Sequence, residues 1–121
     1  MLQDNLVGLR ARSWADHQGA PVDLVFAWFD ILDLLGHTCI VRCRGELEKA
    51  YRDVQEIYLW AKRVLPDSTA VLVLSDHGIE ISGDGVSGKH NSRGFWSLNK
   101  EPSLRPQTPE DIHRLIHRLL E

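Results

Sequence analysis

Five residues in this chain have types and spacings that could hold a metal ion. Asp33 and His37 stand four apart. One turn of helix would put that carboxylate and imidazole on the same side, within reach of a single ion. Asp76 and His77 are adjacent. Neighbours on an extended segment diverge, so these two share an ion only where the strand end bends. His90 lies in a glycine-flanked stretch that could fold back to the same edge. Two Asp-His pairs and a third histidine suit a borderline ion such as zinc, or manganese where more oxygens join. A single Asp-His pair is ordinarily a cap or a surface hydrogen bond. Two pairs, each following an apolar run, argue for a site.

The elements that must position these residues are legible in outline. Leu2 to Gln18 reads as a loosely amphipathic helix with Gly19 as its stop. Asp23-Leu-Val-Phe-Ala-Trp-Phe29 is a continuous apolar run after Pro21, the pattern of a strand buried on both faces of a parallel sheet. Glu46 to Leu65 carries an apolar stripe that includes Leu47, Ala50, Val54, Ile57 and Ala61, and Pro66 ends it. Ala70 to Leu74 reads as a second buried strand, and Ser75 to Pro106 as a long loop. Thr108-Pro-Glu-Asp111 opens a last helix whose buried face is Ile112, Leu115, Ile116, Leu119 and Leu120. Helix, strand, helix, strand, helix predicts an α/β fold with a parallel sheet. Such sheets bind ligands beyond the carboxyl ends of their strands. The first run is followed by Asp30 to His37 and the second by Ser75-Asp76-His77-Gly78.

The bulk properties narrow the classes. The chain has 121 residues, the size of one domain, and 43% hydrophobic with 26% charged residues allows a buried core. A formal net charge of -3 with interspersed signs gives no basic stripe for nucleic acid. The apolar runs are too short to span a bilayer, and Met1-Leu-Gln-Asp4 lacks the start of a signal peptide. Cys39 and Cys43 are too few for a disulfide scaffold and read as reduced thiols, which makes a cytoplasmic location the expectation.

Asp33-x-x-Gly36-His37, Ser75-Asp76-His77-Gly78 and Gly88-Lys-His90, in this order, resemble the metal-ligand motifs of the alkaline phosphatase superfamily. The nearest likeness is to its type I phosphodiesterase/nucleotide pyrophosphatase branch, over roughly residues 22 to 99. The resemblance implies a three-layer core around a parallel sheet and hydrolysis of phosphate esters by a two-metal mechanism. It implies that Asp33, His37 and His90 hold one ion and that Asp76 and His77 hold the other. The family completes the second ion with an upstream aspartate and a nucleophilic threonine or serine at a helix start. Among the 32 residues before Asp33, none of Asp4, Ser13, Asp16, Asp23 and Asp30 stands in that context. Residues 1–121 therefore read as one domain, the C-terminal half of such a unit. Its activity would depend on a missing N-terminal half, and its catalytic residues are not identified. The alternative is a catalytically inactive remnant that associates with itself or with a partner.

Other motifs carry less. Gly83-Asp-Gly85-Val-Ser-Gly88 satisfies G-x-G-x-x-G and nearly makes a P-loop, but His90 stands where serine or threonine should follow Lys89. Asp84-Gly85 better fits a hairpin tip. His113 and His117 could chelate a metal, although solvated side chains are the simpler reading. Phe95-Trp96 fits an anchor for the His90 segment, and Arg93 fits a surface cation.

Overall fold

The structure, a computed structural model, describes residues 23–121. The helix expected over Leu2 to Gln18, and with it Asp4, Ser13 and Asp16, lies outside the described residues. Helix α1 spans Ile31–Cys39 and α2 spans Arg44–Val64. Four short strands follow: β1 Leu72–Ser75, β2 Gly78–Ile81, β3 Gly88–Asn91 and β4 Phe95–Leu98. Helix α3, Pro109–Leu120, closes the order.

The helices end where their residues dictate. In α2, Glu46 lies in the first turn and Lys62 and Arg63 in the last, each complementing the helix dipole. Leu65 turns extended ahead of Pro66, as a residue before proline must. Ala50 of α2 is buried where Leu35 and Cys39 of α1 come close. Helix α3 begins with a capping box. The Thr108 hydroxyl accepts from the Asp111 N–H, and the Asp111 carboxylate accepts from the Thr108 N–H. Leu115 of α3 is fully buried.

The sheet overturns the expected parallel, three-layer α/β core. Strand β1 pairs antiparallel with β4, from Leu72 opposite Leu98 to Ser75 opposite Phe95. Strand β2 pairs antiparallel with β3, from Gly78 opposite Asn91 to Ile81 opposite Gly88. The two ladders are one hairpin with an offset in its middle, not the adjacent parallel strands of a βαβ unit. The physical reason is the turn. Gly85 takes a left-handed φ of 74°, and the Asp84 carboxylate accepts the Val86 and Ser87 N–H groups and the Ser87 hydroxyl. So short a connection can join only antiparallel strands. Three of the four strands therefore lie within the segment expected to be a loop. Asp23 to Phe29, expected to be a buried strand, forms none, and Leu24, Val25, Phe26 and Trp28 are exposed.

Cys39 and Cys43 form a disulfide across the α1–α2 junction, which corrects the expectation of free thiols. Disulfides persist in oxidising compartments, so these cysteines no longer argue for a cytoplasmic location. Among the described residues no helix is long and apolar enough to cross a membrane.

Candidate metal centre

The centre forms where α1 crosses the β2–β3 half of the hairpin. Two glycines permit the crossing. A Cβ on Gly36 would lie 2.9 Å from Ile79 Cγ1, and one on Gly88 would overlap the Gly36 carbonyl oxygen. With no Cβ at either position, β3 lies close enough for the Gly88 carbonyl to accept a hydrogen bond from His37 Nδ1 at 2.8 Å. A carbonyl can only accept, so His37 carries a proton on Nδ1, and Nε2 is the nitrogen left to face an ion. This is the arrangement that holds a ligating imidazole in place in metal sites.

His37 Nε2 meets His90 Nε2 at 2.9 Å. His90 Nε2 lies 2.8 Å from Asp33 Oδ1, and His37 Nε2 lies 3.4 Å from the same oxygen. Ligand atoms about 2.0–2.1 Å from one ion are spaced about 2.9 Å apart at octahedral angles and about 3.4 Å at tetrahedral ones. The observed separations match that range. Asp33, His37 and His90 are also a group of potential ligands close enough to share one ion. Two imidazole nitrogens facing each other at 2.9 Å need a proton or a cation between their lone pairs. The side chains of Asp33, His37 and His90 are 45%, 39% and 49% exposed, which leaves solvent access to further coordination positions.

His77 stands beside this group. Its ring stacks on that of His90 with centroids 3.5 Å apart, and its Nε2 lies 3.7 Å from Asp33 Oδ1. The offset in the hairpin aims it there. Asp76 and His77 face three residues, Ser92, Arg93 and Gly94, on the returning strand. An extra residue of this kind bends a ladder and redirects side chains. Asp76 does not join the group. It is 74% exposed, with Oδ1 3.6 Å from His77 Nε2. The bent strand end thus gathers His77 and leaves Asp76 at its rim.

No protein-family model, curated protein or solved structure matches the chain.

Two hydroxyl residues are immediate sequence neighbours of these residues, Thr38 beside His37 and Ser75 beside Asp76. The Thr38 hydroxyl donates to the Leu34 carbonyl at 2.9 Å, and the Ser75 hydroxyl donates to the His77 carbonyl at 2.6 Å. Both protons are committed to backbone. Sequence reasoning missed the part played by the Gly88 carbonyl. Its only signal is the glycine two positions before His90. It also missed that a single oxygen, Asp33 Oδ1, is approached by all three imidazoles.

Proposed function

We propose that this chain binds a divalent transition-metal ion through Asp33, His37 and His90, and that the centre serves hydrolysis of phosphate esters. The observation that carries the metal reading is the convergence of one carboxylate oxygen and two Nε2 atoms at ligand spacing, with His37 oriented by the Gly88 carbonyl. Two imidazoles and one carboxylate suit zinc, and manganese is the second choice. The bound ion would lower the pKa of a coordinated water and polarise a phosphoryl oxygen. The phosphate-ester reading rests on the likeness of the three motifs to the alkaline phosphatase superfamily. In that reading His77, with Asp76 at the rim, would hold a second ion or meet the substrate's phosphoryl group.

Metal content after mild dialysis, measured by elemental analysis, is the first test. At least one equivalent of zinc or manganese is expected. His37→Ala or His90→Ala should each weaken binding by more than about 100-fold, beyond the range typical of outer-shell changes. Unchanged metal content in both variants would sink the assignment. Hydrolysis of bis-nitrophenyl phosphate is the second test, and the expected turnover is slow. The Thr38 and Ser75 hydroxyls both donate to backbone carbonyls, so neither is freed to act as the nucleophile of a covalent route.

A non-catalytic, self-associating or partner-binding module is the second reading. The exposure of Leu24, Val25, Phe26 and Trp28 favours it. Metal binding without any metal-dependent turnover, together with a concentration-dependent sedimentation coefficient, would decide for it.

A further inference from the structure

Helix α3 carries two histidines that the centre at Asp33 does not use. His113 and His117 are four apart, so one turn sets their imidazoles side by side. Their geometry is more specific than their spacing. The two Nε2 atoms face each other at 3.2 Å, with ring centroids 4.5 Å apart and planes at 67°. Two nitrogens about 2.0–2.1 Å from one tetrahedral ion stand about 3.3–3.4 Å apart, and about 2.9 Å apart at right angles. The observed spacing falls between these values. Both side chains are exposed.

The flanking cations are drawn elsewhere. Arg114 Nη1 lies 3.6 Å from Asp111 Oδ1, and Arg118 Nη1 donates to the Ser103 carbonyl at 3.3 Å. We infer that His113 and His117 chelate one zinc or copper(II) ion, at a site separate from the Asp33 centre, with water in the remaining positions. Imidazole suits both ions, and copper(II) binds more tightly than zinc to a given nitrogen site. With two protein ligands instead of three, this site is the weaker of the two.

The test is a calorimetric titration of zinc chloride into the full chain carrying His37→Ala and His90→Ala, with circular dichroism confirming retained helix. About one equivalent should still bind, and a further His113→Ala or His117→Ala should weaken it at least tenfold. Copper(II) chloride should bind the same double variant more tightly than zinc does. In the otherwise unsubstituted chain, His117→Ala alone should remove the weaker zinc step and leave the tighter one. This arm keeps the inference testable if the double variant does not fold. It also separates failure here from failure of the Asp33 assignment, which would show as loss of the tighter step. Zinc binding to the unsubstituted chain that does not change in the His117→Ala variant would overturn the inference. So would residual zinc binding in the double variant that survives replacement of both His113 and His117.

Discussion

A methyl group placed on Gly88 has nowhere to go. Gly88 is buried, and its added Cβ would overlap the Gly36 carbonyl oxygen and stand 3.0 Å from Ile79 Cγ2. The worst clash is with backbone, so relief requires β3 to lift from α1; no side-chain rotation suffices. Overpacking of this kind costs about 1–3 kcal/mol. Lifting β3 also breaks the bond from His37 Nδ1 to the Gly88 carbonyl, worth about 1 kcal/mol more. A total of about 2–4 kcal/mol lowers the Tm of a domain this size by about 10–20 °C. The same movement carries His90 away from Asp33 and His37, so zinc affinity should fall about 10–100-fold, as when an outer-shell partner of a ligand is lost. Thermal unfolding and zinc titration of Gly88→Ala, with Gly83→Ala alongside, measure both effects. A Cβ on Gly83 meets nothing within 4 Å, so that variant reports the effect of alanine on the unfolded chain alone. If Gly88→Ala melts within about 2 °C of the unsubstituted protein and binds zinc equally well, the glycine crossing does not set the site.

Asp84 governs part of the acid response. Hydrogen bonds from the Ser87 hydroxyl and from the Ser87 and Val86 N–H groups hold its pKa down at about 2, against an ordinary 3.8. The unfolded chain therefore takes up this proton first. The stabilisation is present above about pH 4 and is lost as pH falls through about 2. Acid titrations of unfolding should show a shallower loss for Asp84→Asn than for the unsubstituted protein between those values. Thr108→Ala removes one half of the capping box on α3 and should lower stability by about 1 kcal/mol, read as a lower urea midpoint at unchanged slope. Asp76→Ala should leave the first equivalent of bound metal in place, since Asp76 touches His77 and not the Asp33 group. Loss of that equivalent on elemental analysis would show Asp76 to be a ligand of the first ion.

The candidate ligands were more legible than the sheet that gathers them. Asp33 and His37 declare themselves because a helix fixes the relation of residues four apart, and α1 is a helix. Thr108 and Pro109 likewise announce α3, since caps act within one turn of chain. Strand direction is different, because it depends on which segment a strand finds as its partner. Leu72–Ser75 looks the same beside a parallel or an antiparallel neighbour. Its actual neighbour, Phe95–Leu98, lies behind a glycine-rich stretch that reads as loop. Gly88-Lys-His-Asn91 has no β-branched residue to mark it as a strand; it pairs because the Asp84-Gly85 turn delivers it opposite Gly78–Ile81. The apolar run from Asp23 to Phe29 misleads for the converse reason. Hydrophobicity marks a segment that gains from burial, but a strand also needs a ladder partner, and none pairs with it among the described residues.

The wide separation of the ligands along the chain bears on when a metal could be captured during folding. The disulfide joins cysteines four positions apart, whereas His37 and His90 are 53 apart. Closing the longer loop costs about 2 kcal/mol more in chain entropy. Contacts of that span form late, after local helices and turns. Asp33 and His37 are ready as soon as α1 forms, and His90 arrives only when the hairpin docks across the two glycines. Metal uptake during refolding should therefore run in two stages: a fast, loose association on α1 with two ligands, then a slower tightening whose rate is the rate of hairpin docking. An ion added to the unfolded chain would act as a clock for that docking step.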